Sequence, residues 1–259
     1  MTIASAPAAR RPSPIAWQIA SVTSIRDETP TVRSFTLGAP AWAGHRAGQH
    51  VDVRLTAEDG YSVERSYSIA SAPEQTGGFD VTVEEIEGGE VSPFLHEEVI
   101  VGDRLEVRGP IGGYFVWEAT GAAAAEPLFL IAGGSGVVPL MAMLRHRARA
   151  GLRNPARLLY SSRHFEEVIY REELDTLASA GDGLEVVHTL TRSRPDGWTG
   201  YDRRIDDRMI ADVLSPLGAR ARCYACGPTA LVEVAANALV RLGLPADRIR
   251  TERFGPSGT

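Results

Sequence analysis

The stretch Leu128-Phe-Leu-Ile-Ala-Gly133-Gly134-Ser135-Gly136-Val137-Val138-Pro139 decides how the second half of the chain folds. Leu128–Ala132 is apolar without alternation, as expected of a strand buried on both faces. Glycines follow at once, and then a helical pattern from about Val138 to Ala150. The strand-then-helix order repeats. Strand Arg157–Tyr160 precedes a helix near Tyr170–Ala180, and strand Leu184–Leu190 precedes one near Asp206–Leu214. Arg222–Ala225 leads through Cys226-Gly227-Pro228 into a helix over Thr229–Leu242, with Leu231, Val234, Ala235, Ala238, Leu239 and Leu242 as its expected buried face and Gly243 as its stop. Strands alternating with helices predict a parallel sheet covered on both faces. Ligands of such sheets bind beyond the carboxyl ends of the strands, where these glycine turns fall.

Working back toward the N-terminus, Glu118–Pro127 is alanine-rich, low in complexity and closed by proline, and reads as an inter-domain linker. Before it, β-rich runs alternate with turn signals: Trp17–Ile25, Val32–Leu37, His50–Leu55, Glu64–Ala70, Phe79–Ile86 and Arg104–Val107. Six short runs at this spacing predict an antiparallel barrel. One short helix interrupts them, with Ser92 as its expected N-cap and Pro93 in its first turn. The expected organisation is a tail over 1–14, a barrel domain over 15–117, a linker over 118–127 and an α/β domain over 128–259.

Composition narrows the function. Lys and Arg total 27 against 33 Asp and Glu, a net charge of −6, which disfavours nucleic acid as a partner. No apolar run reaches the ~18 residues of a membrane span, and the tail has no apolar core of a secretory signal, so the expected location is cytoplasmic. Two cysteines are too few for an iron–sulfur cluster or a disulfide scaffold. Cys223 and Cys226 form a Cys-x-x-Cys, but residues three apart on a strand face opposite ways, which opposes a bridge. The histidines are scattered, and no metal site is expected.

Two readings fit the Gly133-Gly134-Ser135-Gly136 turn. It is either a tight connection without ligand or a place where backbone N–H groups and a helix N-terminus meet a diphosphate. It does not match the Gly-x-Gly-x-x-Gly fingerprint. In Glu64-Arg65-Ser66-Tyr67-Ser68-Ile69-Ala70, period 2 puts Arg65, Tyr67 and Ile69 on one face and Ser66, Ser68 and Ala70 on the other. A cation and an aromatic on one face suit a phosphate and a flat ring, and equally suit an ordinary exposed strand.

Taken together, the motifs carry more. Arg65-Ser66-Tyr67-Ser68 resembles the Arg-x-Tyr-Ser flavin motif of the ferredoxin–NADP⁺ reductase superfamily. Gly88-Gly89-Glu90-Val91-Ser92, the Gly133–Pro139 turn, Cys226-Gly227-Pro228 and Glu252-Arg253-Phe254-Gly255 follow in the family's order, over about residues 15 to 255. The resemblance implies a six-stranded antiparallel FAD-binding barrel followed by a parallel-sheet nicotinamide-nucleotide domain. It implies that Arg65 holds the flavin diphosphate, Tyr67 stacks on the isoalloxazine and Ser68 lies near its N5. Ser66 and Glu90 fall inside these flavin motifs. Val81-Thr82-Val83 would run past the flavin, and the Val91 and Ser92 N–H groups would hold phosphate. Gly133, Gly134, Ser135, Gly136, Gly227 and Pro228 would border the nicotinamide nucleotide, with Cys226 beside nicotinamide C4, Glu252 near both rings and Phe254 as a possible flavin cover.

An Arg at the end of the second α/β strand suits a 2′-phosphate, and that strand ends Tyr160-Ser161-Ser162-Arg163. The resemblance adds Arg192 and Arg204. NADP(H) is therefore the expected nucleotide, with NAD(H) open because NADH-using relatives also carry Arg at the first position. The activity implied is hydride transfer between nicotinamide and FAD, with single electrons passed to a separate carrier such as a ferredoxin, flavodoxin or oxygenase component. The alternatives are a reductase of free flavin or another small acceptor, and a nucleotide-binding subunit without turnover.

Overall fold

The computed structural model describes residues 15–254; the predicted N-terminal tail and Gly255 of the last motif lie outside them. Six strands form the first unit: β1 (Trp17–Thr29), β2 (Val32–Gly38), β3 (His50–Thr56), β4 (Ser62–Ser68), β5 (Gly78–Glu84) and β6 (Arg104–Ile111). Their order is β4-β3-β6-β1-β2-β5, all neighbours antiparallel, and an Ile69–Val81 bridge joins the two edges into a barrel. Inward-facing Phe35, Leu37, Val51, Val53, Phe79, Val81, Val83 and Val107 fill it at 2% exposure or less. Closure removes the free edges that an open sheet would leave unpaired.

Helix α1 (Val91–Glu97) follows β5. Ser92 does not cap it. Glu90 stands at the N-cap without a side-chain bond, and the Ser92 hydroxyl instead accepts from the Ile86 N–H at 3.1 Å, closing the preceding loop. The Glu118–Pro127 crossing carries the five-residue helix α2 (Gly121–Ala125).

The second unit is a five-stranded parallel sheet of β7 (Leu128–Gly133), β8 (Ala156–Ser162), β9 (Leu184–Leu190), β10 (Arg222–Pro228) and β11 (Ile249–Phe254), ordered β11-β10-β7-β8-β9. Helices α3 (Val137–Arg149), α4 (Arg171–Ser179), α5 (Asp207–Leu214) and α6 (Thr229–Arg241) cover it. Asp206 caps α5 through the Met209 N–H at 2.8 Å.

Two expectations are corrected. The strand expected to end at Ala225 continues through Cys226-Gly227-Pro228, because β11, unforeseen as a strand, pairs with it through Cys226–Glu252 and Pro228–Phe254. The buried face of α6 is Val232, Ala235, Ala238 and Leu239. Ala235, Ala238 and Leu239 are buried as expected and Leu231 is half-buried, whereas Val232 joins the face and Val234 and Leu242 are 39% and 42% exposed at its margins. One apolar cluster spans both units, joining Val32, Ala70, Phe115 and Trp117 of the first to Leu130, Met141 and Tyr224 of the second. The Tyr224 hydroxyl and the Arg250 guanidinium both donate to the Val116 carbonyl, at 2.9 and 3.0 Å, fastening the units at the crossing.

Candidate functional site

From β7 the chain moves outward through β8 to β9, then crosses back to lay β10 and β11 on the other side of β7. The order therefore reverses between β7 and β10, where ligands of open α/β sheets bind. At their carboxyl ends the glycines divide the work. A Cβ on Gly136 would lie 2.2 Å from the Cys226 carbonyl oxygen, and one on Gly133 would lie 2.6 Å from Leu231 Cδ1. Those two glycines permit close packing of the turn against β10 and α6. Gly134 is different: its φ is +53° and open space lies beside it. Of the three it is the one with no packing contact beside its Cα.

A cavity of about 340 Å³ opens there, within the size range of ligand sites. Gly133, Gly134, Ser135, Arg163, Pro228 and Phe254 line it from the second unit, and Thr31, Val32 and Glu84 from the barrel. A larger groove of about 630 Å³, between the β1–β2 turn and α4, is walled by Asp27, Glu28, Glu166, Arg171 and Glu172 and contains none of the residues predicted from sequence. The smaller cavity is the nucleotide-site candidate because the glycine turn, the Arg163 end of β8 and Phe254 converge on it.

Cys226 is fully buried and its thiol donates to Glu252 Oε2 at 3.9 Å. Burial pushes the thiol well above its ordinary pKa, and the adjacent Glu252 adds to the rise. Burial also lifts the Glu252 carboxyl to about 7, so it changes charge near neutrality. Cys223, the other cysteine, is buried in the cluster on the opposite face of the sheet.

On the barrel, Arg65 is exposed and donates to the Glu64 carbonyl at 2.8 Å, with the Glu90 carboxylate 3.9 Å away. An exposed pair at that separation is weak, so the guanidinium is available to an anion. Tyr67 is half-buried against the barrel core, and burial raises its phenol to about 12. Ser68, beside it, is half-buried. The Ser66 hydroxyl is already committed to Asp52 at 2.6 Å. Val81 and Val83 point into the barrel, and the Thr82 hydroxyl is taken by Ser34 and Tyr170, which leaves only backbone from those three residues for a ligand. At α1 the Val91 and Ser92 N–H groups have no acceptor among the described residues, as first-turn amides do not. A guanidinium only loosely paired with a carboxylate, a half-buried aromatic two residues on along the same strand, and two orphan amides at α1 make a donor set that fits a flavin dinucleotide.

Arg163 and Arg192 are adjacent, the Arg192 N–H donating to the Arg163 carbonyl at 2.9 Å. Arg204 follows Arg203, whose carbonyl accepts from the Thr189 hydroxyl at the end of β9. All three arginines are exposed at the β8–β9 end. Only Arg163 is ion-paired with a described residue, to Glu167 at 3.1 Å. Among the described residues no group of His, Cys, Asp and Glu is placed to hold a metal, and no helix is long and apolar enough to cross a membrane.

Sequence reasoning missed Tyr170 and Arg145, which join the two units. Tyr170 is buried with a left-handed backbone (φ 59°), a conformation that costs a non-glycine residue about 1 kcal/mol. No residue pattern signals it. The barrel wall of the cavity, Thr31, Val32 and Glu84, was missed because it exists only once the units pack.

Comparison with known proteins agrees with this arrangement. The oxidoreductase FAD-binding domain profile matches residues 18–116 and the oxidoreductase NAD-binding domain profile matches residues 130–237. The phenol hydroxylase P5 protein of Acinetobacter pittii is 28% identical over 91% of this chain, and the glycine betaine monooxygenase reductase subunit of Pseudomonas aeruginosa is 32% identical over 89%. The chain spans only 65% and 62% of those two proteins. The flavohem-like FAD/NAD-binding domain of nitric oxide dioxygenase from Vibrio cholerae superposes with a TM-score of 0.79 at 25% identity, covering 92% of this chain and 98% of that one. Ferredoxin–NADP reductase B of Sorangium cellulosum is 32% identical over 91% of this chain and 96% of its own length. A match running the length of that reductase, through both nucleotide-binding halves, places the chain in the ferredoxin–NADP⁺ reductase superfamily.

Proposed function

We propose that the protein is an FAD-dependent NAD(P)H oxidoreductase that takes a hydride from a reduced nicotinamide nucleotide, NADPH in preference to NADH, and passes single electrons to a redox partner. The observation that carries this reading is the cavity at the β7–β10 switch point, which the glycine turn, Arg163 and Phe254 line, with the Cys226–Glu252 pair two residues back along β10 and β11 from its Pro228 and Phe254 walls.

Bound to the barrel, FAD supplies a two-electron acceptor whose electrons can leave one at a time. The chain's own residues bind and orient. Arg65 and the Val91 and Ser92 N–H groups would hold the diphosphate, Tyr67 would pack on the ring system, and the Ser68 hydroxyl would serve its reactive edge. Gly134 and Ser135 present backbone to the nicotinamide nucleotide. Cys226, fully buried two residues before Pro228, would back the nicotinamide subsite, and Glu252 in its ionised form would offset the positive charge that ring acquires as hydride leaves. Phe254 keeps water off the site.

The NADPH preference rests on Arg163 and Arg192 at adjoining strand ends, with Arg204 near them; a guanidinium grips a 2′-phosphate through paired N–H groups. Electrons leave residues 1–259, since two cysteines cannot ligate an iron–sulfur cluster. The relatives named as monooxygenase and hydroxylase components point to an oxygenase or ferredoxin as acceptor. The test is steady-state reduction of ferricyanide, a one-electron acceptor, with each nucleotide. The reading predicts turnover with both and a higher kcat/KM for NADPH. Equal or higher kcat/KM for NADH would remove the preference, and no turnover by the FAD-loaded protein would remove the activity.

A further inference from the structure

A directed chain of hydroxyls crosses from one unit to the other. The Glu28 carboxylate accepts from Arg26 Nε at 2.9 Å and from the Ser34 hydroxyl at 2.6 Å. Having given its proton to Glu28, Ser34 Oγ must accept from Thr82 Oγ1, 2.7 Å away. Thr82 in turn accepts from the Tyr170 hydroxyl. One arrangement of hydrogens satisfies every member, and Tyr170, on the second unit, is its terminal donor. Burial pushes the Tyr170 phenol above its ordinary pKa, so it remains a donor at working pH.

Arg145 of α3 holds the other side of that ring. Its guanidinium carbon lies 4.8 Å from the Tyr170 ring centroid. Nε and Nη2 bind Glu173 at 2.8 and 2.6 Å, and Nη1 donates to the Ala70 carbonyl at 2.8 Å. Ala70 is two residues beyond Ser68, and Thr82 lies on β5. Thus the second unit grips, at two points, the two barrel segments that border the predicted flavin ring. The left-handed backbone of Tyr170 aims its hydroxyl there, and such conformations persist where the surroundings over-determine them.

We propose that Tyr170 and Arg145 are positioning residues which set the approach of the nicotinamide half to the flavin-bearing strands. The proposal rests on the reading given under Proposed function. Neither residue touches the reacting atoms. They act through Thr82 and Ala70 on where those atoms meet, and misplacement on the scale of 1 Å costs up to about a hundredfold in rate.

The experiment uses the FAD-loaded full chain and compares wild type with Tyr170→Phe, Ser34→Ala and the double variant. Anaerobic stopped-flow reduction by NADPH gives a limiting rate and an apparent nucleotide Kd. Thermal unfolding, visible circular dichroism of the flavin and hydrogen exchange over residues 66–85 are measured on the same samples. Tyr170→Phe keeps the ring and its cation contact. It is expected to lower the limiting rate about tenfold with Kd within about twofold, to alter the flavin dichroism and to speed exchange over 66–85. Ser34→Ala is expected to add nothing on top of Tyr170→Phe, because both break one chain. An unchanged rate and unchanged exchange in Tyr170→Phe overturn the proposal, as do additive effects. A rate loss explained wholly by lost flavin or lost folding also overturns it. If wild type itself is not reduced by either nucleotide, the reading of the activity fails instead, and unaltered exchange in Tyr170→Phe would then overturn the positioning role independently.

Discussion

Cys226 and Glu252 sit opposite each other on adjacent parallel strands, in register, with the thiol donating to the carboxylate at 3.9 Å. The contact is a product of β11, whose pairing with β10 turns two distant residues into neighbours, two positions before the Pro228 and Phe254 that line the cavity. Cys226 is fully buried and Glu252 half-buried, and removal from water favours the neutral form of each.

The Glu252 carboxyl is raised from 4.5 to about 7 in the fold. A raised folded pKa means stability fully present below the unfolded value and lost as pH rises through the folded one. Wild type should therefore lose up to about 3 kcal/mol between pH 4.5 and 7 relative to Glu252→Gln. Urea unfolding of both proteins across that window checks this; parallel pH profiles would contradict it.

With Cys226 in the proposed role of backing the nicotinamide ring, Cys226→Ala should slow flavin reduction by about tenfold or more while the nucleotide Kd changes little. Stopped-flow reduction measures both. An unchanged limiting rate would remove Cys226 from the site.

Gly136→Ala places a methyl 2.2 Å from the Cys226 carbonyl oxygen, a backbone atom that cannot swing aside. Overpacking of this kind costs about 1–3 kcal/mol. Gly134→Ala meets no atoms but must adopt φ +53°, so it should cost about 1 kcal/mol and weaken nucleotide binding more than stability. Denaturant midpoints and nucleotide titrations of the two variants separate packing glycine from binding glycine.

Arg163 is held by Glu167 at 3.1 Å, an exposed pair worth less than about 1 kcal/mol. Glu167→Gln should therefore raise kcat/KM for NADPH about two- to fivefold by freeing the guanidinium, with NADH unaffected. Arg163→Ala should lower kcat/KM for NADPH about tenfold or more while sparing NADH. Equal losses with both nucleotides would show that Arg163 does not meet a 2′-phosphate.

Much of the frame was legible because it rests on local pattern. The unbroken apolar run Leu128–Ala132 announced a doubly covered central strand, and the alternating runs before Glu118 announced the barrel. Ser92 misled because serine before proline reads as a cap, whereas its hydroxyl closes a loop to Ile86. The strand Ile249–Phe254 was invisible as structure because an edge strand carrying Arg250, Glu252 and Arg253 has no apolar signature; only the motif it contains gave it away. Tyr170, Arg145 and the barrel wall of the cavity depend on contacts between residues 75 or more positions apart, which no local pattern encodes.

The central claim is that this chain accepts hydride from a nicotinamide nucleotide onto FAD held by Arg65, Tyr67 and α1. Anaerobic titration of the FAD-loaded protein with NADPH, followed in the flavin absorption bands, tests it most directly. The account predicts that about one equivalent bleaches the flavin in wild type, and that Arg65→Ala purifies with little flavin. A wild-type spectrum unchanged by excess NADPH and NADH would contradict it.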